Sequence, residues 1–150
     1  MRKKILTTGC AISLVLWVLF AAMPLLEAQA ASAMQLSATP GLGVYSDSAC
    51  TKALTLLDWG KVYPGDIVHQ TIYVKNLGNN RLKLTLSAEN WNPTTANEAF
   101  RVNWDTEASR IAPGQVVASN LTLTVSPNAA GFTTFGVDVT VKGTSYGRQG

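Results

Sequence analysis

The sequence predicts an all-β fold: an antiparallel immunoglobulin-like β-sandwich of about seven strands, preceded by an N-terminal hydrophobic signal helix. Three observations support this prediction. Apolar and polar residues alternate with a period of two after the first third of the chain, short turns separate the alternating segments, and one long apolar run lies near the N-terminus. The predicted organisation is a leader over 1–33, an N-terminal extension over 34–41, the sandwich over 42–143 and a flexible C-terminal tail over 144–150.

The leader has the three parts of a secretory signal peptide. Met1–Lys4 is basic, Ala11–Leu26 is an uncharged apolar run, and small residues follow at alternating positions, which allows cleavage after Ala30 or after Ala33. The alternative is an uncleaved membrane anchor that holds the sandwich outside the cell. The apolar run has 16 residues, which is shorter than the ~20 that span a bilayer.

The charge of the mature chain argues against nucleic acid as a partner. The whole chain carries 12 basic and 9 acidic residues, but cleavage of the leader leaves nine against eight. The basic character therefore belongs mainly to the leader. The remaining length of about 120 residues fits one domain.

Seven segments with strand character follow the leader in order. They are Leu42–Ser46, Ala53–Leu57, Ile67–Lys75, Arg81–Ala88, Phe100–Asp105, Asn120–Ser126 and Thr134–Lys142. Strands with one polar face are typical of antiparallel sheets. The predicted core consists of ten residues from three of these strands: Leu82, Leu84, Leu86, Leu121, Leu123, Val125, Phe135, Val137, Val139 and Val141.

Two turns of the same kind precede two of the long strands. Tyr63-Pro64-Gly65-Asp66 and Ala112-Pro113-Gly114-Gln115 share a Pro-Gly pair followed by a polar residue and an apolar strand. Proline at the second turn position and glycine at the third predict a type II turn at both places.

Several short motifs together resemble a family of small exported archaeal proteins with a single immunoglobulin-like sandwich. The motifs are Asp58-Trp59-Gly60, Pro64-Gly65-Asp66, Tyr73–Asn79, Asn90-Trp91-Asn92-Pro93, Val102–Asp105 and Pro113-Gly114. The resemblance covers about Tyr45 to Gly143. More loosely, the chain is similar to camelysin-type and biofilm-fibre sandwich proteins, and that resemblance implies subunits that assemble by lending a strand to a neighbour. Such folds carry many functions, so no activity follows.

The sequence predicts no catalytic residues, no cofactor and no metal site. His69 is the only histidine, which excludes a site built from several histidines, and the acidic residues show no regular calcium-loop spacing. Asp105 and Glu107 lie close together in one loop, which we interpret as a solvated turn.

The aromatic residues Trp59 and Trp104 are predicted to belong to the core. Trp91 is predicted to lie in the polar loop Glu89–Pro93 and, with Tyr63, is the candidate for contact with a ligand such as a sugar ring. Asn120 begins an Asn-Leu-Thr sequon and is a candidate glycosylation site. Cys50 is the single cysteine after the leader; it is either a buried small hydrophobe or the site of an intermolecular disulfide.

These features predict a non-enzymatic exported structural protein at the cell surface or outside the cell, which associates with itself, with other surface proteins or with glycans. The segment Met34–Thr39 alternates and can add to the sheet edge of a neighbouring copy, pair within its own domain or remain unpaired. The alternative function is a carbohydrate-binding or adhesion module that uses exposed aromatics. Membrane contact is expected only through residues 11–26, if the leader is retained.

Overall fold

The computed structural model describes residues 30–147. In this part of the chain ten strands form two sheets, and there is one short helix. The all-β prediction is therefore confirmed. The predicted signal helix and its apolar run, residues 11–26, lie outside the described residues. The elements are β1 Ala30–Ala38, β2 Leu42–Tyr45, β3 Leu56–Leu57, β4 Lys61–Val62, β5 Ile67–Asn76, β6 Leu82–Asn92, α1 Ala96–Ala99, β7 Phe100–Trp104, β8 Arg110–Ile111, β9 Val116–Val125 and β10 Thr134–Ser145.

The two sheets differ in strand pairing. Sheet A has the order β3-β1-β10-β6-β8, and β4 also pairs with β1. Sheet B has the order β2-β5-β9-β7 and is antiparallel throughout. In sheet A the pair β1–β10 is parallel, so the N-terminal strand of the described chain runs beside the last strand in the same direction.

Both sheets contribute their inward residues to one hydrophobic core. Alternation along each strand produces this arrangement, because successive side chains of a strand point to opposite faces. Nine of the ten residues predicted to form the core are buried, and Leu86 is half-buried against the others. Trp59 and Trp104 are 5% and 8% exposed, as the sequence predicts.

The two predicted type II turns are confirmed. The N–H of Asp66 donates to the carbonyl of Tyr63, and the N–H of Gln115 donates to that of Ala112, both over 3.0 Å. Gly65 has a φ of 89° and Gly114 a φ of 75°, values that glycine adopts without a steric penalty.

Each of these turns is also bound to the end of the other long strand. The N–H of Gly65 donates to the carbonyl of Val125 at the end of β9 (3.2 Å), and the N–H of Gly114 donates to the carbonyl of Asn76 at the end of β5 (2.9 Å). Since β4 and β8 belong to sheet A and β5 and β9 to sheet B, each turn carries the chain from one sheet to the other.

The loop between β7 and β8 covers the open part of the β6 edge. The N–H of Leu84 donates to the carbonyl of Ser109, and the N–H of Ala108 donates to the carbonyl of Leu84. The carboxylate of Glu107 accepts from the N–H of Leu86 (3.1 Å) and from the indole Nε1–H of Trp104 (2.5 Å). Backbone groups that would otherwise be open to another strand are thus paired within the chain.

Three predicted boundaries differ from the strands of the structure. In segment 34–41, expected as an N-terminal extension, Met34 to Ala38 belong to β1 and pair with β10, so of the alternatives for this segment the structure shows pairing within its own domain. The predicted strand Ala53–Leu57 is reduced to β3 and a single bridge between Tyr45 and Ala53. The predicted tail starts too early, since β10 continues to Ser145 by pairing with β6.

Candidate functional site

The strand β1 lies between β10 on one side and the short strands β3 and β4 on the other. Ser32, Met34 and Leu36 are buried, with Met34 at 0% and Leu36 at 4% exposure, and the residues between them are exposed. No residue from Ala30 to Ala38 carries a charge. The strand therefore combines a buried apolar face with a neutral outer face.

On the β10 side, β1 is held by a parallel ladder that reaches the end of the strand. The pairs run from Ala31 with Thr134 to Ala38 with Val141. The hydroxyls of Ser37 and Thr140 are 3.1 Å apart on the outer face. Beyond the strand, the N–H of Thr39 donates to the carbonyl of Val141 (3.0 Å).

On its other side, β1 is held in two short sections. Met34 pairs with Leu57 of β3, and the N–H of Leu36 donates to the carbonyl of Thr55 (2.8 Å). Ala31 pairs with Lys61 of β4. These two sections leave the chain between β3 and β4 without strand pairing to β1.

The side chain of Ser32 fills this interval. Its Oγ accepts a hydrogen bond from the N–H of Trp59 (2.9 Å) and lies 3.5 Å from the carbonyl of Gly60, to which it donates. Ser32 is itself 8% exposed. Buried backbone N–H and C=O groups usually need a hydrogen-bond partner. The buried hydroxyl of Ser32 supplies one where the strand ladder is missing.

Noncovalent contacts hold β1 in its position, and a short link over Thr39–Gly41 joins it to β2 in the opposite sheet. Gly41 has a φ of 90° in this link. The same set of backbone and apolar contacts is available to the β1 of another copy, because identical chains present identical pairing groups.

The sequence predicts that Trp91 lies in a loop, but in the structure it belongs to β6. A bulge accounts for its orientation: Glu89 pairs with Asp138 and Asn92 with Gly136, so β6 has one residue more than β10 over this interval. The extra residue is Asn90, with a φ of 54°. Because one added residue reverses the alternation, Trp91 is half-buried and packs against the core.

The second aromatic candidate, Tyr63, lies in the turn between β4 and β5, whereas Trp91 lies in β6. Tyr63 is half-buried at the start of the first Pro-Gly turn, where its backbone N–H donates to the carboxylate of Asp66 (2.9 Å).

Cys50 is half-buried in the loop after β2, with a φ of 55°, and its Sγ lies 3.9 Å from the carbonyl of Ser48.

The polar candidates lie on the outer face of sheet B or in its loops. His69 is exposed, and its Nδ1 is 2.9 Å from the hydroxyl of Thr122. Thr122 is also the third residue of the sequon that begins at Asn120, which is half-buried within β9. The carboxylate of Asp105 accepts from the backbone N–H of Asn120 (2.8 Å). These contacts stabilise the sheet and its loop.

A polar groove of about 500 Å³ lies on the outer face of sheet A beside the bulge. Its lining includes Gln35, Ser37, Asn90, Asp138 and Thr140. Asn90 donates to the carboxylate of Asp138 (2.9 Å). The groove offers hydroxyl, amide and carboxylate groups, which sequence reasoning missed because the strands that supply them are distant in the chain.

The charged pair at the rim of this groove consists of Glu89 and Lys142, whose Oε1 and Nζ atoms are 3.3 Å apart. A hydrogen bond from the hydroxyl of Ser87, and then the Lys142 ammonium, hold the pKa of Glu89 below its ordinary value of 4.5. Glu89 therefore carries its charge at neutral pH.

Residues 30–147 contain no group of three or more histidine, cysteine, aspartate or glutamate side chains placed to hold a metal ion. In the same part of the chain, no helix has the length and apolar character needed to cross a membrane.

Comparison with known proteins adds no family assignment. No protein-family model matches the chain, and no curated protein matches it in sequence. The similarity to small exported sandwich proteins therefore stays a prediction from the motifs.

Proposed function

We propose that the chain is a non-enzymatic exported structural protein of the cell surface or extracellular space, built on an immunoglobulin-like sandwich, whose copies associate by exchanging β1. In this proposal β1 of one copy occupies the position beside β10 of the next, and repetition yields a filament or matrix. Head-to-tail exchange yields an open filament where the rotation between successive copies does not close a ring, which permits long assemblies.

The observation that carries the proposal is the position of β1. It is the first strand after the predicted leader, has no charged side chain, and is enclosed between β10 and two strands of only two residues each. It buries Met34 and Leu36 completely or nearly so. A strand with these properties supplies its domain with apolar surface that another copy supplies equally well.

A disulfide placed across β1 and β10 tests the proposal. Ser37→Cys and Thr140→Cys, made in a Cys50→Ser background, put two thiols where two hydroxyls now lie 3.1 Å apart. In an exchanged assembly each disulfide joins two chains, so a non-reducing denaturing gel shows a ladder of covalent oligomers. In a domain that keeps its own strand, the same disulfide forms within one chain and the gel shows monomer.

The single variant Ser37→Cys in the same background is the matched control, because it has one thiol and cannot form a ladder. The purified exported protein is also sized and imaged by electron microscopy up to high concentration. A protein that is monomeric at every concentration and forms only intrachain disulfides would contradict the exchange proposal. A ladder that disappears with the control would support it.

The second candidate is a carbohydrate-binding or adhesion module. The polar groove beside Asn90 favours it, because its hydroxyl, amide and carboxylate groups suit hydrogen bonds to sugar hydroxyls. A glycan array tests this candidate with the wild type and with Asn90→Ala, Trp91→Ala and Tyr63→Ala. Binding that is absent, or equal in all four proteins, would remove it.

A further inference from the structure

The described part of β1 distinguishes the two candidate cleavage sites. A cut after Ala33 falls inside the strand, whereas a cut after Ala30 removes only the first of its described residues. The residues that only the second cut removes, 31–33, pair with Thr134, Phe135 and Gly136 of β10. The folded domain therefore uses these three residues.

Ser32 contributes most to this difference. Its hydroxyl is the hydrogen-bond acceptor for the N–H of Trp59, and Trp59 is 5% exposed. Removal of the hydroxyl leaves a buried donor without its partner, which is costly in a protein interior. A chain that begins at Met34 lacks this contact entirely.

The cut after Ala33 also removes what holds β4 in sheet A. The two pairs between β1 and β4 involve Ala30 with Val62 and Ala31 with Lys61, and β1 is the strand that β4 pairs with. Val62 is 1% exposed and leads directly into the turn at Tyr63. Loss of both pairs therefore loosens a core residue and the turn after it.

We infer that the leader ends at Ala30 and that the exported chain begins at Ala31. This inference rests on the proposed export of the protein. Ala28 and Ala30 supply the small residues at alternating positions that a signal peptidase requires. The cut after Ala30 leaves Ser32 and the pair of Ala31 with Lys61 intact, and of the two β1–β4 pairs it removes only that of Ala30 with Val62.

The test is the N-terminal residue of the exported protein, determined by mass spectrometry on cells that express the full chain. We expect Ala31 as the first residue. Two substitutions form a matched pair: Ala30→Leu places a large residue at the inferred cut, and Ala33→Leu places the same residue at the other. Ala33 is exposed, so leucine fits there without changing the core. We expect Ala30→Leu to lose the Ala31 product and Ala33→Leu to keep it.

The physical reason is tested separately with Ser32→Ala in the exported protein. We expect its melting temperature to fall by roughly 5 °C, because the N–H of Trp59 loses its acceptor. An unchanged melting temperature would contradict the role of Ser32 as the physical reason. A native protein that starts at Met34 or retains Met1 would overturn the inference itself.

The outcomes separate this inference from the proposed function. A protein that starts at Ala31 and stays monomeric removes the exchange of β1 and leaves the cleavage site in place. A protein that starts at Met34 and still assembles removes the cleavage site and leaves self-association in place.

Discussion

The two Pro-Gly turns have the same local structure but different support. In each, the residue after glycine uses its side chain to accept from the first residue of the turn: Asp66 from the N–H of Tyr63, and Gln115 from the N–H of Ala112, both over 2.9 Å. Each turn follows a two-residue strand whose last residue, Val62 or Ile111, is 1% exposed.

The difference lies in the strand behind each turn. β8 pairs with β6, and the loop before β8 adds hydrogen bonds to the same edge. β4 pairs with β1, the first strand of the described chain. The same local motif thus adopts the same local conformation in both turns, while the stability of each turn depends on strands elsewhere in the chain.

The largest expected effect concerns the buried residues of these two supports. Met34→Ala in β1 and Ile111→Ala in β8 each remove side-chain volume from a fully or almost fully buried site. We expect each to lower the free energy of unfolding by about 2–5 kcal/mol, measured by urea denaturation of the exported protein. If Ile111→Ala lowers the free energy of unfolding by the expected amount and Met34→Ala hardly changes it, β1 does not stabilise the domain as described.

The next effect concerns the strand ends to which the turns bind. The buried side chain of Asn76 donates to the carbonyls of Asn80 (2.7 Å) and Ile111 (3.3 Å) and accepts from the N–H of Gly78 (3.0 Å). The equivalent position on β9 is the apolar Val125. We expect Asn76→Ala to cost about 1–3 kcal/mol in unfolding free energy.

Asn80→Ala is the control for Asn76→Ala, because Asn80 takes part in this network through its backbone carbonyl. It should leave the free energy of unfolding almost unchanged in the same denaturation experiment. Equal losses for both substitutions would show that the network around Asn76 is not the source of the effect.

A smaller effect is expected from the glycines of the two turns. Among the described atoms, none lies within 4 Å of a Cβ added at Gly65 or Gly114, so the cost of alanine comes from the positive φ alone. We expect Gly65→Ala and Gly114→Ala to lose a similar amount, roughly 1–2 kcal/mol each. Gly147→Ala, at an open position without positive φ, should be neutral. Unequal losses in the two turns would break their equivalence.

The smallest effect is a pH dependence in the loop after β2. The hydroxyl of Thr51 donates to the carboxylate of Asp47 (2.6 Å), and this bond and the backbone N–H of Lys52 hold the pKa of Asp47 below its ordinary value of 3.8. The stability that the ionised Asp47 carboxylate contributes to the fold is therefore complete above pH 3.8 and is lost as pH falls through the lowered pKa.

We expect Thr51→Val to raise the pKa of Asp47 toward its ordinary value, as measured by NMR titration of the carboxyl group. Thr51→Ser keeps a hydroxyl and should keep the lowered pKa. A titration of Asp47 that is the same in wild type and Thr51→Val would contradict the assigned cause.

The sequence predicted those parts of the fold that depend on neighbouring residues. Alternation identified the long strands, and Pro-Gly pairs identified both turns, because conformational preference and side-chain direction are local properties. The parallel pairing of β1 with β10 was missed, since no local pattern specifies a partner about a hundred residues away. For the same reason the sequence left open whether the segment from Met34 pairs within its own domain.

The candidate site was predicted less well. Trp91 was expected in a loop because Asn90 and Pro93 are turn residues, but in the structure Asn90 is the extra residue of a bulge and Trp91 turns toward the core. A bulge is specified jointly by two strands. The groove beside it was not predicted, since its lining comes from strands that are far apart in sequence.

The parallel pairing of β1 and β10 also has a consequence in time. β1 is made near the start of synthesis and its partner near the end: the contacting hydroxyls of Ser37 and Thr140 are 103 residues apart. A new chain can pair β1 with β3 and β4 early, but β1 lacks its β10 partner until almost all of the chain has been made. Under the proposed exchange, a finished β10 on a neighbouring chain competes with the chain's own during that interval, so the concentration of nascent chains affects which β10 pairs with β1 first.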